Sequence, residues 1–107
     1  MKSLLITSLA VVAGFCLVAS TAAAGATTIR LKDNSFSPKS STVSRGSTVT
    51  FRWTGRSAHN VTVTKGPVKF ASSTKVKGTY RRKLTRAGTY SFVCTIHSGM
   101  AGRLRVK

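Results

Sequence analysis

The feature that most restricts the fold of this chain is the alternation of apolar with polar or cationic residues in several short segments. Apolar residues occupy every second position over 29–31, 49–53, 61–63, 90–92 and 104–106. Successive side chains of a strand point to opposite faces, so this period indicates β-strands with one buried face. Apart from the N-terminal segment, we find no helical period and no internal repeat.

Turn-forming residues separate these segments. The turn signals are Ser37-Pro38, Arg45-Gly46-Ser47, Thr54-Gly55-Arg56, Lys65-Gly66-Pro67, Lys77-Gly78 and Ala87-Gly88. Many short strands at this spacing predict an all-β fold, an antiparallel β-sandwich or barrel. The segment TYRRKLT, residues 79–85, fits the alternation badly because Arg82 shares the phase of Tyr80 and Leu84. We interpret this segment as an edge strand or a bend.

The N-terminal residues have the layout of an export signal. Lys2 precedes an apolar run over 4–18, and small residues follow, ending in Ala22-Ala23-Ala24. The run is short for a transmembrane helix, which needs about 20 apolar residues. We therefore predict a signal peptide over residues 1–24, cleaved after Ala24, and one domain over residues 25–107. The mature protein is expected in the periplasm, the cell envelope or outside the cell, without a transmembrane segment.

The charge of the chain has almost one sign. Eighteen Lys and Arg residues stand against a single acid, Asp33, which gives a formal net charge of +17. In the stretches IRLKD, VTFRW and GRLRVK the cations alternate with apolar residues, which places them on the outward faces of strands. These cations do not alternate with the aromatic residues on which proteins stack the bases of single-stranded nucleic acid. We interpret the charge as a solvated basic surface that attracts anionic partners, with no specific nucleic-acid site.

The stretch YSFVCTIHSGM, residues 90–100, contains three possible metal ligands, Cys94, His97 and Met100. In the strand before Cys94, the alternation places Tyr90 and Phe92 inward, and two residues further on it places Cys94 inward as well. In the same way, the strand that follows His59 and the strand that follows Met100 place these two residues inward. His97 lies on the loop between Cys94 and Met100 and can fold back over the same position. Residues 25–107 contain no other Cys, His or Met.

These four side chains are a thiolate, two imidazoles and a thioether. This is the ligand set of blue-copper electron-transfer sites, in which a weak methionine completes a trigonal arrangement of Cys and two His. Zinc is the competing ion for Cys and His, although methionine adds little for it. Taken singly, a buried cysteine or methionine is more often a core residue than a ligand. It is the convergence of four such residues that indicates copper, cycling between Cu(I) and Cu(II).

At these residues the sequence resembles the cupredoxins, the small blue-copper proteins of the plastocyanin and amicyanin type. The resemblance is carried by FSPKSSTVSRGSTVTFRW, by HNVTV and by GTYSFVCTIHSGMAGRLRV, which together span most of residues 25–107. It implies a Greek-key β-sandwich with His59, Cys94, His97 and Met100 as the copper ligands. It further implies that Asn60 ties the two ligand-bearing loops together by hydrogen bonds. In such proteins the loop histidine is the exposed ligand at which partners dock.

The leading hypothesis is an exported, monomeric electron carrier that is not an enzyme and meets a redox protein with an acidic docking surface. An acidic polymer of the envelope is a second expected partner for so basic a chain. The alternative is an exported copper-binding protein for copper delivery or detoxification, although such proteins usually rely on several methionines or cysteines. A third reading is a cationic module that binds the envelope and for which copper is incidental. Histidines for a second copper centre are absent from the sequence, which argues against an enzyme.

Overall fold

The computed structural model describes residues 26–107, which form eight β-strands. The strands are β1 (Ala26–Lys32), β2 (Ser35–Ser37), β3 (Ser40–Val43), β4 (Ser47–Trp53), β5 (Thr62–Lys65), β6 (Gly78–Leu84), β7 (Gly88–Val93) and β8 (Ala101–Val106). Within this range there is no helix that is long and apolar enough to cross a lipid bilayer. The predicted signal peptide, residues 1–24, lies outside the described residues, and its cleavage stays a prediction.

The strands form two sheets of four, with the orders β2-β1-β4-β6 and β3-β8-β7-β5. The predicted Greek-key β-sandwich is therefore confirmed. The sheets are not wholly antiparallel, because β1 runs parallel to β4 and β3 runs parallel to β8. Alternation predicts which face of a strand is buried but carries no information about strand direction. The two parallel pairs could therefore not be read from the pattern.

The inward positions of the two sheets form one apolar core, as the alternation predicts. Phe92 of β7 lies near its centre and is almost completely buried. Its ring meets Phe36 edge-on, with 4.8 Å between ring centroids, and Phe51 with 5.6 Å. Phe36 and Phe51 belong to the other sheet, so Phe92 joins the two layers. Edge-to-face contacts of this kind add to the stability that burial alone provides.

Strand β6 confirms the interpretation of residues 79–85 as an edge strand. It pairs with β4 on one side only and ends the order of its sheet. Arg82 points inward at this edge, and its guanidinium lies 4.9 Å from the centre of the Phe70 ring. A long cationic side chain can pack its stem on apolar surface while its charge stays near water. The broken alternation therefore results from the half-covered edge.

The connection between β5 and β6 takes part in the sandwich, which the alternation did not predict. Val63 donates a backbone hydrogen bond to Phe70, and Ser72 donates one to Val61. Phe70 is 8% exposed and belongs to the core cluster. Only one residue of this segment points deep into the core, so it has no run of alternating residues to detect. Its backbone pairing nevertheless fixes the chain from His59 to Val63.

Candidate metal centre

The ends of three strands bring the candidate ligands to one end of the sandwich. Cys94 follows β7 directly, Met100 precedes β8 directly, and His59 lies three residues before β5. The three side chains are buried, with exposures of 3%, 2% and 0% respectively. The sequence predicted these inward phases, and the structure confirms them. His97 is half-buried and is the most exposed of the four residues, as expected.

Two imidazoles and the thiol face one another through particular atoms. The Nδ1 atoms of His59 and His97 are 3.1 Å apart. The Sγ atom of Cys94 lies 3.5 Å from Nδ1 of His97 and 3.9 Å from Nδ1 of His59. Among residues 26–107, these three residues form the one group of His, Cys, Asp or Glu side chains close enough to hold a metal ion together.

The size of this triangle fits a single metal ion. A point equidistant from its corners lies about 2 Å from each donor atom, close to the roughly 2.0–2.3 Å at which histidine nitrogen and cysteine sulfur bind zinc. The distances alone do not choose between zinc and copper. The donor set does, because the buried thioether of Met100 is a soft ligand that suits copper.

Hydrogen bonds within residues 94–100 fold the ligand loop onto itself. The backbone N–H of His97 donates to the Cys94 carbonyl at 3.4 Å, and that of Met100 donates to the His97 carbonyl at 3.1 Å. The Cys94 N–H donates to the Met100 carbonyl at 3.0 Å, which closes the loop at its base. Gly99 has a φ of +84°, in the left-handed region that favours glycine. The backbone therefore holds the three loop residues close together without a metal.

Asn60 joins the segment of His59 to the ligand loop. Its side-chain N–H₂ donates to the hydroxyls of Thr74 at 3.0 Å and Thr95 at 2.8 Å. Its side-chain oxygen accepts from the Thr95 backbone N–H at 3.1 Å and from the Thr62 hydroxyl at 2.9 Å. The resemblance predicted that Asn60 would link two loops, and these bonds link three segments. The buried amide has partners for both of its donors and for its acceptor.

Two further residues near His59 were missed at the level of sequence. The Trp53 indole N–H donates to the His59 carbonyl at 3.1 Å. Asp33 Oδ1 lies 3.5 Å from His59 Nε2 and accepts backbone hydrogen bonds from Arg56 at 2.9 Å and Ser57 at 3.0 Å. The bond from Ser57, followed by the bond from Arg56, holds the pKa of the Asp33 carboxyl below its usual value. The available signal was that Asp33 is the only acid of the chain.

Two exposed apolar side chains belong to segments that adjoin the candidate ligands His97 and His59. Among the described residues, the exposed large hydrophobic side chains are Ile96, 51% exposed, and Val76, 52% exposed. Ile96 is the neighbour of His97 in sequence. Val76 follows Lys75, whose backbone forms an antiparallel bridge with His59. Of these two side chains, one is therefore next to a candidate ligand and the other is next to the bridge partner of a candidate ligand.

Comparison with known proteins agrees with this geometry. Residues 23–107 match the sequence profile described as copper-binding proteins of the plastocyanin/azurin family. A search of curated proteins found no match to the chain. Among solved structures, a reduced mutant of amicyanin is 28% identical, with a TM-score of 0.70, over 80% of this chain and 86% of amicyanin.

Two other solved structures show how the same fold occurs in different settings. A copper-containing nitrite reductase from Thermus scotoductus SA-01 is 26% identical, with a TM-score of 0.69, over 87% of this chain. The chain spans only 25% of that reductase. A purple cupredoxin from Nitrosopumilus maritimus, 18% identical with a TM-score of 0.68 over 75% of this chain and 98% of its own, shares the fold. By the profile that covers most of its length, this chain belongs to the plastocyanin/azurin family of copper-binding proteins.

Proposed function

We propose that this chain is an exported electron carrier that binds one copper ion through His59, Cys94, His97 and Met100. The observation that carries the proposal is the convergence of two histidine Nδ1 atoms and the Cys94 sulfur within 3.9 Å of one another. Bound copper would supply a one-electron couple between Cu(I) and Cu(II). The similarity to amicyanin supports the same function.

The protein contributes a ligand frame that is already formed. Cys94 and Met100 are fixed by the strands that they adjoin and by the backbone bond between them, and His59 is held by the bridge to Lys75. A frame that keeps its shape in both oxidation states reduces the rearrangement that accompanies electron transfer. Burial of Cys94 and Met100 also protects both sulfur atoms from solvent and oxidants.

His97 is the ligand that a partner can approach. It is half-buried, whereas His59 is completely buried, so only the His97 ring reaches the surface. Ile96 is the neighbour of His97 in sequence. The side chain of Asn60 binds both Thr74 and Thr95, so the segment of Val76 and the segment of Ile96 are both attached to Asn60. We propose that Ile96 and Val76 form the apolar part of a docking surface around His97.

The rim of this docking surface is cationic. Lys75 and Lys77 flank Val76, and Arg56 lies on the loop that precedes His59. A redox partner with acidic residues around an apolar centre would match this arrangement. Charge complementarity of this kind mainly accelerates encounter and selects partners, while the small apolar contact allows rapid release.

A second cationic surface lies on the outward face of the sheet β2-β1-β4-β6. Arg30 of β1 pairs directly with Arg52 of β4, and Arg81 of β6 pairs with Thr50, the neighbour of Arg52 on the same face. Lys32 and Lys83 extend the line at its two ends, and all five side chains are exposed. We call these five residues the cationic stripe and propose that it binds an acidic polymer of the cell envelope. Like charges opposite each other destabilise a sheet, so a bound polyanion would relieve the repulsion between Arg30 and Arg52.

The burial of the ligands separates an electron carrier from a copper-delivery protein. A delivery protein must pass its ion to another set of ligands, which need access to it. Here Cys94, Met100 and His59 are all buried, and a partner reaches only His97. We therefore favour electron transfer over delivery.

The first prediction tests the copper site. The protein should bind one copper per chain and show an intense blue absorption when oxidised, which arises from charge transfer between the Cys94 thiolate and the metal. Cys94→Ser should abolish this absorption band. Met100→Leu should retain the band and raise the reduction potential, because a weak donor to Cu(II) is lost. A blue Cys94→Ser protein would contradict the ligand assignment.

The second prediction concerns the hydrogen bonds of Asn60. Asn60→Ala should lower the free energy of unfolding by about 1–3 kcal/mol, because the four hydrogen bonds of this buried side-chain amide are lost. It should also weaken copper binding by roughly 10- to 100-fold, as is usual when a group that orients metal ligands is removed. Chemical denaturation and competitive metal titration measure the two effects. Thr64→Ala removes an exposed hydroxyl and is the control, and an equal loss in both variants would argue against the role of Asn60.

The third prediction concerns docking at the cationic rim. The bimolecular rate of electron transfer to an acidic cytochrome should fall steeply between low and physiological salt. The double substitution Arg56→Gln and Lys77→Gln, at two exposed residues, should lower this rate at low salt and flatten its dependence on salt. Arg105→Gln with Lys107→Gln removes the same charge at the opposite end of β8 and should change the rate much less. A stopped-flow rate that does not change with salt would contradict docking through charge, and the cations would then serve only solubility.

The fourth prediction concerns the cationic stripe. Elution from immobilised polygalacturonate should require less salt after Arg30→Gln, Arg52→Gln and Arg81→Gln are combined. The matched control combines Arg103→Gln, Arg105→Gln and Lys107→Gln, which removes three charges from the other sheet and its end. An equal shift in both triple variants would show that net charge alone governs the attraction, without a defined surface.

A further inference from the structure

Asp33 makes contacts that its place in a short turn does not explain. It is the only acid in a chain with eighteen Lys and Arg residues. It lies in the turn between β1 and β2, where Lys32 and Ser35 are paired and Asn34 has a φ of +70°. A turn of this kind would tolerate many polar residues. The Asp33 carboxylate instead contacts the segment that follows the neighbouring strand β4 and leads to His59.

The carboxylate anchors the segment that leads from β4 to His59. Its Oδ1 atom accepts the backbone N–H groups of Arg56 and Ser57, while the Leu31 carbonyl accepts those of Thr54 and Gly55. Four successive N–H groups of this segment are therefore bound by the end of β1 and the turn after it. A side chain at Gly55 would collide with the Asp33 carboxylate, which shows how closely the two segments pack.

The same oxygen is the polar atom that His59 Nε2 faces. Nε2 lies 3.5 Å from Asp33 Oδ1. This separation is longer than an ordinary hydrogen bond, and among the described residues His59 Nε2 is the one buried side-chain nitrogen or oxygen without a hydrogen-bond partner. His59 is 0% exposed, so water does not solvate this atom. A fixed negative charge beside it favours a proton on Nε2.

The position of that proton decides whether His59 can bind a metal. A neutral imidazole carries one proton, on Nδ1 or on Nε2, and the other nitrogen is free to accept or to coordinate. His59 Nδ1 faces the candidate metal position, but it also lies 3.1 Å from His97 Nδ1 and could donate a proton there. The two arrangements of the proton therefore compete in the metal-free protein, and only one leaves Nδ1 of His59 available.

We propose that Asp33 is a positioning residue for His59, holding its approach segment in place and keeping its proton on Nε2 so that Nδ1 is free to coordinate. The proposal deepens the proposed copper site, since its effect on metal affinity rests on His59 being a ligand. The position of the proton in the metal-free protein can be measured whether or not His59 is a ligand. When Nδ1 of His59 is protonated in part of the metal-free protein, the metal affinity is reduced in proportion to the fraction in which Nδ1 remains free.

The test begins with the metal-free protein labelled with ¹⁵N-histidine, in which two-bond proton–nitrogen correlations report which ring nitrogen carries the proton. In the unsubstituted chain His59 should carry it on Nε2. Asp33→Ala should move much of the population to Nδ1. Asp33→Asn, which keeps an oxygen for the two backbone N–H groups and for Nε2, should restore most of the original distribution. Asn34→Gly, which suits the positive φ, is the control in the same turn and should change nothing.

Titration with Co²⁺ then measures the consequence for binding. Asp33→Ala should weaken the affinity by about 10- to 100-fold, with a smaller loss for Asp33→Asn. A proton on Nδ1 in the unsubstituted protein, or an unchanged distribution in a folded Asp33→Ala protein, would overturn the proposal. If the protein bound no metal but the proton shifted as described, the proposed function would fail while the role of Asp33 in positioning His59 would stand.

Discussion

The contact of Phe92 with Phe36 and Phe51 holds the two sheets together, and the position of the candidate metal centre depends on it. Phe92 belongs to β7, and Cys94 follows two residues later on the same face of the strand. When the aromatic ring is fixed between the layers, the register and rotation of β7 are fixed too, and so is the direction of Cys94. Gly102 of β8 leaves room for the Phe92 ring, because a Cβ atom there would overlap it. Strand β8, which directly follows Met100, thus packs against the same ring.

Hydrogen bonds fix the parts of the candidate site that the apolar core does not restrain. The core orients strands, but His59 and the ligand loop lie beyond the strand ends, where alternating burial no longer restrains the chain. Asn60 connects the His59 segment to Thr95, and Asp33 connects the residues before His59 to the end of β1. Backbone bonds between Cys94, His97 and Met100 close the loop itself. Each of these polar groups is satisfied mainly by backbone or by short side chains, which gives a rigid frame around the donor atoms.

The distribution of polarity gives this small domain distinct surfaces. Most cations stand on outward strand positions or in loops, whereas the carboxylate of the one acid lies beside His59 and accepts hydrogen bonds from Arg56 and Ser57. The exposed apolar residues Ile96 and Val76 lie in the segments that adjoin the two histidines. A carrier with a small apolar contact within a strongly charged surface can form encounters quickly and dissociate quickly, which suits the function proposed above.

The sequence by itself determined the sandwich and most of the candidate site, because both depend on a local rule. Alternation places Val61, Phe92 and Leu104 inward, and continuing the same phase reaches His59, Cys94 and Met100. The positions of strands β2 and β3, the two parallel pairings and the packed segment around Phe70 were decided only in the tertiary structure. These features depend on which strands become neighbours, and the period of a single strand carries no such information. For the same reason Asp33 could be noticed as the only acid, but only the folded chain brings it to His59, 26 residues away in sequence. Long-range contacts between polar residues arise from the packing of whole elements, and neither residue type nor local spacing records them.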